Sequence, residues 1–132
     1  MTKKTALITG GNRGIGFALT QQLVADNYNV DVLCRQSSKA LAALPVQIYE
    51  SIELTESKTL IAIQQKLSNK RYDLIINNAG ILERETLETF DKKEKDQILN
   101  QFKINSLAPF ELTQLFYKQL KQPSKLIFIT SR

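Results

Sequence analysis

The sequence predicts an α/β fold, a doubly wound parallel sheet of about five strands with helices on both faces. Two observations support this fold class. Short apolar runs alternate with longer amphipathic segments along the chain, and a glycine-rich turn, TGGNRGIG, follows the first apolar run. The 132 residues fit one domain, and no repeat, linker or low-complexity segment divides them. Residues 1–132 are therefore treated as a single domain.

The first three strands and the helices between them follow from local patterns. The apolar run TALIT predicts a short buried strand, and the segment GIGFALTQQLVADN has apolar residues at helical spacing. A serine begins the short helix SSKALAAL, and Pro45 ends it before the next strand. In order, these patterns predict a strand at 5–9, a helix at 14–27, a strand at 29–35, a helix at 37–44 and a strand at 46–50.

The second half of the chain continues the alternation. Thr55 is the expected cap of a helix at 55–69, and YDLIINNAG at 72–80 reads as a strand that enters a polar turn ending in glycine. A long helical region is predicted from about 91 to 121, with Pro109 inside it as the expected bend or break. The run KLIFITS, 125–131, predicts a fifth strand.

Composition excludes several classes of function. The net charge of +5 arises from scattered basic residues, and the densest run, DKKEKD at 91–96, mixes both signs as a solvated helix face does, so no nucleic-acid partner is expected. The chain has no histidine and one cysteine, Cys34, which excludes Ser-His-Asp hydrolysis and an internal disulfide, and no metal site is expected. With no signal peptide and no long apolar stretch, we expect a cytoplasmic protein with no membrane partner.

The turn between the first strand and the first helix contains Gly10, Gly14 and Gly16. Residues without a Cβ let the backbone approach a pyrophosphate closely, and the amides at the start of a helix offer unpaired donors to it. An ordinary turn before a helix is the alternative explanation. The position of the turn, after the first strand and before an amphipathic helix, favours phosphate binding.

Two motifs in order resemble those of the short-chain dehydrogenase/reductase family. Thr9-Gly10-xxx-Gly14-x-Gly16 has the spacing of its glycine motif, and Asn77-Asn78-Ala79-Gly80 follows the fourth strand as its second motif does. The resemblance implies a Rossmann-type NAD(P)-binding domain that lacks the family's C-terminal strands and helices. It implies cofactor contacts from Gly10, Asn12, Arg13, Gly14, Ile15, Gly16, Arg35, Glu53, Leu54, Asn78, Ala79 and Gly80.

The choice of cofactor depends on the end of the second strand. An acidic residue there would bind the ribose 2′-hydroxyl of NAD(H), but Cys34 takes that position and Arg35 follows. Arg13, in the glycine turn, is the second guanidinium that could bind a 2′-phosphate. We therefore expect NADP(H) to be preferred over NAD(H), with two ordinary surface arginines as the alternative.

The resemblance also implies part of a catalytic set. Asn105 matches the family's helix asparagine, and Ser131 matches its serine after the fifth strand, although the first could be a helix-kink residue and the second a polar strand-end residue. The family's tyrosine and lysine are absent after Ser131. Tyr117 and Lys121 have the Tyr-x-x-x-Lys spacing but precede the fifth strand, so we do not assign them that role.

These features imply an oxidoreductase that transfers hydride between a nicotinamide and a carbonyl or alcohol substrate, with the 132-residue chain expected to be inactive alone. A non-catalytic dinucleotide-binding remnant and an interaction module remain alternatives. The apolar run LIFI would be an exposed sheet edge. We therefore consider a homo-oligomer formed through the long helix or through the edge of the fifth strand.

Overall fold

The computed structural model describes residues 3–80 and 92–130 and contains one parallel sheet of five strands with the order β3-β2-β1-β4-β5. The chain moves outward from β1 to β3, then crosses back over β1 to place β4 and β5 on its other side. The predicted doubly wound parallel sheet is confirmed. The strands are β1 (Thr5–Thr9), β2 (Asn29–Leu33), β3 (Gln47–Tyr49), β4 (Tyr72–Asn77) and β5 (Leu120–Phe128).

The helices cover both faces of this sheet. They are α1 (Gly14–Ala25), α2 (Lys39–Ala42), α3 (Ser57–Lys66), α4 (Lys92–Phe102) and α5 (Ala108–Phe116), with a π-helical segment at Lys103–Leu107 and a 3₁₀ turn at Tyr117–Gln119. Alternate strand residues feed two cores, as the pleat requires. Leu7 and Ile75 pack with residues of α3 and α5, whereas Ile8 and Ile76 pack on the opposite face with residues of α1 and α2.

Local sequence signals were correct for some element ends and wrong for others. Ser38 caps α2, because its hydroxyl accepts a hydrogen bond from the Leu41 amide at 3.1 Å. The prediction that Thr55 caps the next helix was wrong: α3 begins at Ser57, and the Thr55 hydroxyl donates to Glu53 at 3.4 Å instead. The predicted long helix is interrupted by the π-helical segment just before Pro109 and ends with the 3₁₀ turn.

A buried polar cluster joins β2 to the residues at the start of β4. Asp31 in β2 is only 2% exposed, and its carboxylate accepts hydrogen bonds from the Lys70 ammonium and the Tyr72 hydroxyl, each at 2.8 Å. Burial and the neighbouring Asp31 charge together raise the pKa of Tyr72 far above its ordinary value, so this hydroxyl stays a donor. Every charge in the cluster is paired, so the cluster is a structural link between β2 and β4.

Candidate functional site

A groove with a volume of about 690 Å³ lies at the carboxyl ends of β1, β2 and β4. In an open α/β sheet, ligands bind at this edge, where neighbouring connections leave on opposite faces. Every residue that the sequence predicted for cofactor binding lines this groove, with the addition of Leu33, Cys34, Gln36, Ile52 and Ile104.

The glycine turn lines the groove and is held in place by close backbone packing. Gly10 adopts φ +67°, and a Cβ there would lie 3.0 Å from the Cα of Ala79. A Cβ on Gly16 would overlap the carbonyl oxygen of Gly10 and the side-chain amide of Asn78. Both positions therefore require glycine, for backbone conformation at the first and for space at both.

The start of α1 faces the same groove, which Gly14, Ile15 and Gly16 line. The first backbone bond of the helix runs from the Phe17 amide to the Arg13 carbonyl at 3.1 Å, and no side chain caps the helix. The first amides of an α-helix have no acceptor within it, and the helix dipole places partial positive charge there. These donors fit the pyrophosphate of a dinucleotide.

The hydroxyl of Thr9 connects the two sequence motifs. It accepts hydrogen bonds from the backbone amides of Asn78 and Ala79, each at 3.0 Å. The side-chain amide of Asn78 donates a hydrogen bond to the Gly10 carbonyl oxygen at 3.1 Å. The end of β4 and the glycine turn after β1 are thereby fixed as one wall of the groove.

Two loops bring Arg13 and Arg35 to the same end of the groove. The Asn12 side-chain amide donates to the Gln36 carbonyl at 2.9 Å, and the Ser38 hydroxyl donates to the Asn12 carbonyl at 3.0 Å. These bonds join the glycine turn to the loop after β2, which begins with Arg35. The two guanidinium groups are exposed and line the groove, so they fit a phosphate at this end.

Arg35 contacts an acidic residue across the groove wall. Its Nε lies 3.6 Å from Oε2 of Glu53, and the two side chains are 74% and 37% exposed. An ion pair this open to solvent contributes between about 0 and 1 kcal/mol. The neighbouring thiol of Cys34 is buried, and burial and the Glu50 charge raise its pKa, so it remains neutral.

Asn105, in the π-helical segment, does not line the groove but lies beside Gly80, which does. Its Oδ1 lies 3.0 Å from the position that a Cβ on Gly80 would occupy, and the adjacent Ile104 lines the groove. Single π-helical turns are frequent at functional sites because they redirect side chains within a longer helix. Ser131, the other predicted catalytic residue, lies outside the described residues.

The Tyr117 and Lys121 pair lies elsewhere. Neither residue lines the groove, Tyr117 is exposed on the 3₁₀ turn, and the Lys121 ammonium binds the Asp73 carboxylate at 3.1 Å. Sequence reasoning also missed groove residues, namely Leu33, Gln36, Ile52 and Ile104. Leu33, Gln36 and Ile52 could have been predicted, because strand ends and the loops after them line such a site. No sequence pattern indicated Ile104.

A family model described as short chain dehydrogenase matches residues 4–132. The chain belongs to the short-chain dehydrogenase family. Its fold also agrees with a short-chain dehydrogenase/reductase from Burkholderia multivorans with bound NADP, at a TM-score of 0.86 and 19% identity over 98% of this chain and 59% of that one. Among residues 3–80 and 92–130, no helix is long and apolar enough to cross a bilayer.

Two further proteins are more similar to this chain in sequence. Benzil reductase ((S)-benzoin forming) of Bacillus cereus is 31% identical over 88% of this chain and 50% of its own length. BdcA in complex with NADPH is 27% identical, with a TM-score of 0.84 over 98% of this chain and 52% of that one. The chain thus spans about half the length of the relatives that it matches.

Proposed function

We propose that this chain forms the NADP(H)-binding part of a short-chain oxidoreductase that transfers hydride between nicotinamide and a carbonyl or alcohol substrate. The observation that carries the proposal is the groove itself, since it gathers both sequence motifs, an uncapped helix start and two guanidinium groups along one wall. The relatives that hold NADP or NADPH support the same cofactor. When bound, that cofactor supplies the hydride or accepts it.

Different groups of the chain would bind different parts of the cofactor. The amides at the start of α1 hold the pyrophosphate, and Ile15, which is 66% exposed in the groove, covers the nicotinamide side. Glu53 and Leu54 line the groove where the adenine would lie. Arg13 and Arg35 bind the 2′-phosphate, which distinguishes NADP(H) from NAD(H).

The substrate side would be built by other residues. Asn105 beside Gly80 orders solvent or substrate at the nicotinamide end, and Ser131 holds the substrate oxygen. Carbonyl reduction needs a positioned acid to protonate the developing alkoxide. Within the residues that the structure describes, no tyrosine-lysine pair lines the groove, and we propose that the 132 residues bind the cofactor without reducing carbonyls by themselves.

Calorimetric titration of the purified chain with NADPH and with NADH tests the cofactor assignment. We expect tighter binding of NADPH. Replacing Arg13 or Arg35 by Gln should weaken it about tenfold and leave NADH binding nearly unchanged, because each change removes a charge-assisted contact to the 2′-phosphate. Lys58→Gln on α3, away from the groove, is the control for total charge. Equal dissociation constants for the two cofactors would contradict the assignment.

The same chain, assayed for NADPH oxidation with aldehydes and ketones, tests the catalytic part of the proposal. We expect cofactor binding without turnover. Turnover by the 132 residues alone would contradict the proposed inactivity, whereas absence of NADPH binding would favour an interaction module.

Exposed apolar side chains support association with a second copy. Leu99, Phe102 and Phe110 on the helical segment and Phe128 on β5 are each at least 47% exposed. Apolar surface of this extent on a helix face and on a sheet edge is typical of surfaces that another chain covers. We propose self-association through one of these two surfaces.

A further inference from the structure

Glu53 is fixed beside Arg35 by the backbone as well as by charge. After β3, the Ser51 amide donates to the Arg35 carbonyl and the Ile52 amide donates to the Cys34 carbonyl, each at 3.0 Å. These bonds attach the loop that contains Glu53 to the end of β2. The two side chains therefore meet because the two loops are joined, and not by a chance surface encounter.

The carboxylate of Glu53 divides its two oxygens between two neighbours. Oε1 accepts the hydroxyl of Thr55 at 3.4 Å, and Oε2 lies 3.6 Å from Nε of Arg35. Within residues 3–80 and 92–130, no hydrogen bond engages the terminal nitrogens of Arg35. The acidic group thus holds the inner nitrogen of the guanidinium, and the outer nitrogens remain available to a phosphate.

We infer that Glu53 is a specificity-determining residue that competes with the cofactor's 2′-phosphate for Arg35, and so limits the preference for NADP(H) over NAD(H). The inference rests on the proposed function, since it concerns the same groove. NAD(H) has no 2′-phosphate and leaves the Arg35–Glu53 pair intact. NADP(H) must share Arg35 with a carboxylate that already offsets part of its positive charge.

The size of this effect follows from simple electrostatics. The two charges are those of Arg35 and Glu53. Unit charges about 4 Å apart in water interact strongly enough to change a binding constant by about fivefold. The exposure of both side chains keeps the effective dielectric close to that of water. We therefore expect Glu53 to weaken NADPH binding by about fivefold relative to NADH binding, because any contact with the adenine is common to both cofactors and cancels in the ratio.

Glu53→Gln tests the inference, because the amide keeps the shape and the Thr55 contact while removing the charge. The dissociation constants of NADPH and NADH are measured by calorimetry for the wild type and for E53Q. The ratio of NADH to NADPH constants should rise about fivefold in E53Q. Glu56→Gln, an exposed carboxylate outside the groove lining, is the matched control and should leave the ratio within about twofold.

The same measurement in an Arg35→Gln background tests whether Glu53 acts through Arg35. If it does, adding E53Q to R35Q should change the ratio by less than about twofold. An equally large rise in both backgrounds would overturn the competition, because Glu53 would then act on the phosphate directly. An unchanged ratio in E53Q, with NADPH bound normally by the wild type, would overturn the inference alone. Absence of NADPH binding by the wild type would overturn the proposed function and this inference together.

Discussion

The two sides of the sheet differ in how completely the described residues enclose them. β1 and β2 lie between other strands, and nearly all of their side chains are buried. Within the described residues, β5 pairs with β4 alone, and an apolar run from Leu126 to Ile129 covers its end and the residue after it, with each residue at least 37% exposed. The side of the sheet that borders the groove is thus well packed. The β5 side presents apolar surface that a folded protein normally covers.

This difference separates two parts of the site. The groove depends on β1, β2 and β4 and on turns that pack closely against one another. Asn105, for which we propose a role on the substrate side, lies in the π-helical segment between α4 and α5. Binding of the cofactor and handling of the substrate should therefore respond to different substitutions.

The largest expected effect comes from breaking the enclosed side at Gly16. Gly16→Val places side-chain atoms where the Gly10 carbonyl and the Asn78 amide lie, and backbone atoms cannot give way as a flexible side chain would. We expect a loss of about 3 kcal/mol in the free energy of unfolding and no measurable NADPH binding. Chemical denaturation and calorimetry measure these two quantities.

Ala18→Val is the matched control for Gly16→Val, because Ala18 is an exposed position of the same helix. It should cost less than about 1 kcal/mol, the difference in helix propensity. A Gly16→Val protein with wild-type stability and NADPH binding would show that the close packing of the turn is not required.

A smaller effect is expected from adding charge to the open side. Phe128→Lys places a cation on an exposed edge strand, as natural sheets do to prevent edge pairing. We expect self-association, followed by sedimentation velocity over a range of concentrations, to weaken about tenfold or more with NADPH binding retained. Ile61→Lys on α3, which is 43% exposed, is the control. Equal weakening by both substitutions would point to net charge and away from the β5 edge.

The smallest effect concerns the ion pair that attaches the start of β5 to β4. Burial alone would raise the pKa of Asp73, but the Thr5 amide at 2.8 Å and the Lys121 ammonium at 3.1 Å lower it overall. A carboxyl whose pKa is lowered by folding stabilises the protein above its unfolded pKa, about 4, and that contribution is lost as the pH falls through the folded value.

Asp73→Asn should therefore be less stable than the wild type at neutral pH by a fraction of a kcal/mol, and the difference should shrink below about pH 4. Unfolding free energies at a series of pH values measure it, with exposed Asp26→Asn as control. A difference that is constant from neutral to acid pH would show that the charge of Asp73 contributes nothing.

The sequence was sufficient for the sheet, the glycine turn and most of the residues that line the groove. Gly10 and Asn78 belong to motifs whose spacing matches strand ends, and parallel strands bring those ends to one edge. The apolar β5 edge was also visible, because LIFI has no charge to protect it.

Other features depend on distances between segments that local patterns do not contain. Asp31 in β2 binds Lys70 and Tyr72, which lie about 40 residues further along the chain. No local pattern around Asp31 predicts these partners. Glu53 was predicted as a cofactor contact from the resemblance alone, and its contact with Arg35 emerged only from the three-dimensional arrangement. Thr55 was mistaken for a cap because Ser57 and the preceding loop set the true start of α3.

The two hydrogen bonds to Thr9 also have a consequence for the order of folding. They join positions 69 and 70 residues apart, so a loop of that length must close before this wall of the groove exists. During synthesis, β1 and the glycine turn leave the ribosome long before Asn78. A dinucleotide bound in this groove would therefore stabilise only chains in which β4 has already docked, and it would act late in folding, on sheets that are correctly assembled.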